Sequence, residues 1–382
     1  MEQERTKLQD ISIQKVFEQI ESTQKEDRVL NTKDMVVTID EKDTVVLQHP
    51  DFPEESRPIT QFAQTQMNQG LCSGFGSYAR YLMKEPSREN KELYAYNATK
   101  LLEKFPDDRL IRFSTYQDEP TSMRAWLSPS YKVIDNDLVF GSLLDSIEGN
   151  QQATEFMAIG GYHTGITSYV KLITKDPLFS ITADGRERAF HPGFILSNSE
   201  VGQGYCKLEV LLVDRYCTNG CIFSKETLGD IRMMHRGTRA TVGGILPNTD
   251  QMNLDQIRRR IQDAVSIAFN KDLYLGFREA VQSAADMVID ITDDTSVDLW
   301  SKHIGRTLAL TEGEQKAVAQ RIKETGDRSL FGVQAAITEE AKYASTYDRK
   351  LELERAGAKV FTEVPRRMNT LKNLVAAEAL EL

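Results

Sequence analysis

The hydrophobic pattern of this 382-residue chain changes period at Pro247, and that change does most to limit what it can fold into. After Pro247, Leu254, Ile257, Ile261, Ala264, Val265 and Ala268 recur at three- and four-residue spacing through good helix formers. Before it, short β-branched and aromatic runs lie between polar, Gly or Pro breaks, the pattern of strands. Met35–Ile39 and Thr44–Leu47 read as a hairpin around Asp40–Asp43. Leu110–Tyr116, Thr121–Leu127, Tyr162–Ile173, Phe190–Leu196 and Tyr205–Tyr216 read as further strands. Helical spacing interrupts them from Thr60 to Gly70 and from Ser87 to Phe105, and Asp135-Asn136 can cap a helix running to Ile147. The expected fold is α+β, with a central, mostly antiparallel sheet, N-terminal helices and a C-terminal helical layer. Three regions follow: an N-terminal helix and small β-hairpin over 1–60, an α+β core over 61–246, and a helical region over 247–382. In the last region, helices fit Asn253–Asp290, Val297–Leu308, Glu312–Lys323 and Phe331–Arg355.

Composition excludes some functions and constrains others. Hydrophobic residues make up 40% and charged residues 27%, enough apolar material for a packed core. No apolar run approaches the roughly 20 residues that a membrane span needs. The start, Met1-Glu2-Gln3-Glu4-Arg5, lacks the features of a secretion signal, so a cytoplasmic location is expected. The four cysteines, Cys72, Cys206, Cys217 and Cys221, are too few and too clustered for a disulfide framework. A formal charge of −10 opposes non-specific attraction to nucleic acid or anionic lipid, so any polyanion must meet a local basic surface.

Motifs for catalysis and cofactor binding are missing. No P-loop is present, and Gly202-Gln203-Gly204 runs into Tyr205-Cys206-Lys207 instead of opening a helix with a third glycine. Cys217 and Cys221 lack the second ligand pair of a structural zinc site. The five histidines sit in no HExxH arrangement, and no GxSxG elbow supplies a serine. No cofactor, metal or catalytic residue is therefore assigned. An enzyme reading would need His163, His191 or His235 beside a cysteine or carboxylate in a pocket.

Two stretches can meet a polyanion. Between Lys225 and Arg260 there are seven Lys or Arg against four acids, and Arg232, His235, Arg236, Arg239, Arg258 and Arg259 are candidate phosphate contacts. The competing reading spreads Arg258–Arg260 over successive faces of a helix, paired with Asp255 or Asp263. From Tyr78 to Tyr96, tyrosines alternate with cations, and Arg80, Tyr81 and Lys84 suit stacking on bases beside a phosphate backbone. Here the competing reading is an ordinary helix with its aromatics in the core.

The block from Phe190 to Phe223 is the most specific signature in the chain. Asn198, Gly202, Asn219 and Gly220 fit turn geometry within it. Several short motifs, in order, resemble the phage- and plasmid-type family known as domain of unknown function nine-three-two. They are Tyr78-Ala79-Arg80-Tyr81-Leu82 followed by Asn97; Arg124-Ala125-Trp126-Leu127-Ser128 with Tyr131 and Asp135-Asn136; Leu196–Gly202 leading to Cys217–Gly220; His235-Arg236-Gly237; and Phe331–Thr338. The resemblance implies a mobile-element origin and carries no catalytic residues. Together these features point to a single-stranded DNA-binding protein acting in replication or recombination as a homo-oligomer. The alternative is a non-enzymatic interaction factor, an assembly component or a counter-defence protein that binds a host protein.

Overall fold

The structure is a computed structural model that describes residues 7–116, 119–183, 185–214, 219–223, 231–233, 247–291 and 293–380. The fold is α+β, with antiparallel sheets in the N-terminal and central parts and a helical block after residue 247.

The chain opens with α1 (Ile13–Glu21), capped by the Ser12 hydroxyl, which accepts from the Lys15 amide. Strand β1 (Thr23–Asn31) follows. β2 (Val36–Ile39), β3 (Val45–Gln48) and the two-residue β4 (Arg57–Pro58) form a small antiparallel sheet. Helices α2 (Gln61–Leu71), α3 (Phe75–Lys84) and α4 (Arg88–Lys104) come next. Thr60 and Ser87 cap α2 and α4, their hydroxyls accepting from the third helical amide in each case. β5 (Asp108–Tyr116) and β6 (Ser122–Leu127) complete a three-stranded sheet in the order β1-β5-β6. Between these elements lies one apolar cluster that includes Met35, Leu47, Met67, Tyr94, Phe113 and Trp126.

β1 escapes a reading by hydrophobic alternation because its sequence, TQKEDRVLN, is largely polar. Its charged side chains form ion pairs, Lys25 with Glu200, Glu26 with Arg57 and Asp27 with Arg112, and only Leu30 is buried.

The central part begins with α5 (Asn136–Glu148). Strands β7 (Phe156–His163), β8 (Ser168–Thr174), β9 (Phe179–Ala183), β10 (Arg186–Asn198), β11 (Cys206–Asp214), β12 (Asn219–Phe223) and β13 (Ile231–Met233) follow. They build an antiparallel sheet ordered β12-β11-β10-β8-β7, with β9 on β10 and β13 on β11. The stretch Tyr162–Ile173, expected as one strand, is a hairpin. Thr164 turns the chain, its hydroxyl accepting from the Ile166 and Thr167 amides. Alternation then divides the sheet. Val170, Leu172, Phe194, Leu196, Val210 and Leu212 join the largest core with α1 and α5, while Tyr169, Ile173, Ile195, Leu211 and Val213 meet Leu351 on the other face.

The helical block comprises α6 (Pro247–Ala268), α7 (Asp272–Asp286), α8 (Asp294–Thr307), α9 (Glu312–Thr325), α10 (Leu330–Ala341), α11 (Tyr347–Thr362) and α12 (Val364–Ala379). The stretch expected as one helix from Asn253 to Asp290 breaks at Asn270-Lys271, where the Asn270 side chain accepts from the Asp272 amide and the buried Tyr274 hydroxyl donates to the Ala268 carbonyl. Phe331–Arg355 likewise divides, at 342–346, where Thr346 caps α11. Among the described residues no helix is long and apolar enough to cross a membrane.

Candidate functional site

The Tyr78–Tyr96 stretch forms a surface on α3 and α4. Ala79 and Leu82 turn inward, which leaves Tyr78, Arg80, Tyr81 and Lys84 outside. Tyr81 is 76% exposed and Tyr96 61%, so neither is a core aromatic. The side-chain amide of Asn97 donates to the Tyr78 hydroxyl at 3.1 Å, which joins the two helices through their outer faces. Leu93 is also exposed, one turn before Asn97. The neighbouring Arg88 is held by Asp43 and Glu92, and Lys91 donates to the Asp43 carbonyl. Arg80 and Lys84 have no ion-pair partner among the described residues, although Glu85 and Glu89 are exposed nearby.

The second basic stretch is only partly in view. His235, Arg236 and Arg239 lie outside the described residues, as does Cys217. Arg232 sits in β13, paired with Lys207. Arg258 and Arg259 are exposed on α6, whose opposite face buries Ile257, Ile261, Ala264 and Val265. Arg258 lies 3.9 Å from Asp255, an exposed pair of little energetic weight. Nothing described brings this row to the tyrosines of α3 and α4.

The turn residues take different roles from one another. Gly202 has φ +82°, and a Cβ there would lie 2.9 Å from Leu127 Cδ2. Asn198 is the last residue of β10. Asn219 and Gly220 are the first two residues of β12, paired with Asp214 and Val213, and Gly220 is not among the positive-φ glycines. Any turn joining β11 to β12 belongs to 215–218, outside the described residues.

Motifs far apart in sequence meet at Glu200, which is 3% exposed. Its carboxylate accepts from Lys25 of β1 at 2.9 Å, from the Asn136 amide at the start of α5 at 2.6 Å, and from Arg124 of β6. Arg112 of β5, fully buried, donates to the Glu200 carbonyl at 2.6 Å, to Asp27 at 2.8 Å and to Asp135 at 2.6 Å. The Tyr131 hydroxyl donates to the Ser199 carbonyl, and Asn198 donates to the Ile134 carbonyl. Burial alone would raise the Glu200 pKa, yet Arg124 and Lys25 hold it at about 2. Burial and the proximity of Glu200 push Asp135 up, against the pull of Arg112. The network ties the β1-β5-β6 sheet to the central sheet. Periodicity gave no signal for it, because Glu200 follows the polar run Ser197-Asn198-Ser199 just beyond the end of β10.

A cleft of about 490 Å3 opens beside this network, among Gln19, Thr23, Ser114, Ser122, Arg124 and His163. Arg124 gives one nitrogen to Glu200. Its Nε and Nη2 are buried without a hydrogen-bond partner among the described residues, as is Gln19 Oε1. Unmet buried donors cost on the order of 1–3 kcal/mol each, so their survival calls for an explanation. His163 Nδ1 lies 2.7 Å from Ser168 Oγ. Asn198 donates to Asn136 Oδ1, and Asn136 Nδ2 donates to Ser168 Oγ, so the serine hydroxyl is left to donate to His163 Nδ1. The neutral ring then carries its proton on Nε2. Burial lowers the His163 pKa to about 4, with Lys25 and Arg124 adding to the fall and Glu200 opposing it. Ser168 is fully buried, so the pair does not offer a nucleophile.

A second charged cluster lies on the α11 face of the sheet. Lys171 donates to both Glu354 oxygens at 2.9 Å, Lys350 donates to Asp10 at 2.6 Å, and the Tyr169 hydroxyl donates to Asp10 at 2.7 Å. A cleft of about 590 Å3 borders it over Met157, Ile173, Leu211 and Val213. Lys171, Lys350 and Lys342 each meet a carboxylate, while Lys7 at the rim lies over the Tyr343 ring, so the buried cations of the cluster act as a structural clasp. The late helical motif docks nearby, with Gln334 donating to Cys221 Sγ at 2.7 Å. Burial pushes the Cys206 thiol up to about 12, so it is an inert core residue at neutral pH. Among the described residues, no three His, Cys, Asp or Glu side chains gather to hold a metal.

No protein-family model, curated protein or solved structure matches this chain.

Proposed function

We propose that the protein binds single-stranded nucleic acid through the outer faces of α3 and α4, as a phage- or plasmid-type factor in replication or recombination. The observation that carries this reading is the exposure of Tyr78, Tyr81 and Tyr96 beside Arg80 and Lys84, cations without an ion-pair partner among the described residues. A ring that pays for exposure to water gains by stacking, and base stacking on an aromatic contributes about 1–3 kcal/mol per base. The two cations supply the phosphate attraction that a chain of charge −10 otherwise lacks. The resemblance of the Tyr78–Leu82 motif to a mobile-element family supports the same reading, and a homo-oligomer would line one strand with several copies of this surface.

Fluorescence anisotropy with a labelled oligothymidylate at low salt tests the proposal. Tyr81→Ala should weaken binding by about 1–3 kcal/mol, and Arg80→Glu should weaken it further. Binding that neither change affects would place the site elsewhere. No binding at all would leave a protein-interaction role as the better reading.

A further inference from the structure

The cleft beside Arg124 and His163 has chemistry that the nucleic-acid reading does not use. We propose that it is a binding site for a small hydroxylated oxyanion, a carboxylate or phosphate borne on a small molecule. Three features converge on that class. The guanidinium of Arg124 is held on one edge by Glu200, and its Nε–Nη2 edge is left without a partner among the described residues. Those two parallel N–H groups are the fork that fits two oxygens of a carboxylate or phosphate. The relay from Asn198 through Asn136 and Ser168 fixes a proton on His163 Nε2, a second donor with no partner among the described residues. Gln19 Oε1 is a buried acceptor without a donor, which a hydroxyl on the same molecule can satisfy. Thr23, Ser114 and Ser122 add polar wall.

Arg124 Nε and Nη2 are closed to bulk water. Glu119 also borders the cleft, on the exposed rim, and favours occupants of low total charge. The site is independent of the α3–α4 surface, and the two readings can fail separately.

The test uses the full chain in thermal unfolding and calorimetric titrations with inorganic phosphate, with citrate and with sodium chloride at matched ionic strength. Phosphate or citrate should raise Tm in a saturable way that chloride does not reproduce, and whichever acts identifies the oxyanion. His163→Phe and Gln19→Leu should each weaken that binding about tenfold. Oligonucleotide binding should stay intact in both variants. Should either variant fold poorly, nitrogen NMR of the wild-type protein gives the same answer, because oxyanion binding should shift the His163 Nε2 resonance. The proposal is overturned if neither oxyanion exceeds the chloride control, or if binding persists undiminished in both variants with no shift at His163.

Discussion

Glu200 carries a charge into the junction of two sheets, and its neighbours determine what its removal would cost. In Glu200→Ala, Lys25 and Arg124 would keep their charges in a buried setting with their main partner gone. A loss of about 3–5 kcal/mol in urea unfolding is expected. Gly202→Ala should cost about 1–2 kcal/mol, from the left-handed backbone alone, before its contact with Leu127 is counted. His163 gives a pH signature. Its folded pKa of about 4 lies below the ordinary 6.5, so its contribution is full above pH 6.5. As pH falls from there, the unfolded chain takes up a proton that the folded chain refuses, and stability drops by up to about 3 kcal/mol by the time pH reaches the folded value. His163→Gln should flatten the part of that fall between pH 6.5 and 5, measured by urea midpoints across the range. Glu200, Arg124 and His163 could be read in the sequence as residues, but their convergence could not. The motifs around them look like turn geometry until the fold brings β1, β6, α5 and β10 together.

At the scale of elements, periodicity located most strands and helices and failed where polar atoms set the boundaries. β1 has no apolar alternation to detect, because it is held by its pairing with β5 and by the ion pairs of Lys25 and Asp27, with Leu30 as its one buried residue. The Thr164 turn and the Asn270 break each depend on a side-chain hydrogen bond within an otherwise continuous pattern. The helical pattern read from the sequence ends at Arg355, whereas α11 continues to Thr362 and α12 follows with Pro365 in its first turn, where a missing amide hydrogen costs nothing. Gly193 shows how closely the central strands approach. A Cβ there would lie 1.9 Å from the Leu172 carbonyl oxygen, so Gly193→Ala should break the β8–β10 pairing. Loss of amide-exchange protection along β8 and β10 would register it.

In the whole molecule, one apolar cluster fills the N-terminal part and the largest core joins the central sheet to the helical block. The Glu200 network bridges the two. The only two tryptophans fall one in each core, Trp126 in the first and Trp300 in the second. Trp300→Phe and Trp126→Phe versions therefore report the cores separately. Their urea transitions should coincide in the otherwise unaltered chain and separate when Glu200→Ala is added. The sequence-level division at 247 follows the change in local period, which does not reveal that sheet and helices share one core.

The central functional claim concerns the exposed tyrosines and cations of α3 and α4, and the salt dependence of oligonucleotide affinity tests it most directly. The logarithm of affinity should fall linearly with the logarithm of salt concentration, and Arg80→Glu should make that slope shallower by about 0.7 or more. A salt-independent affinity, or a slope unchanged by Arg80→Glu, would contradict the claim.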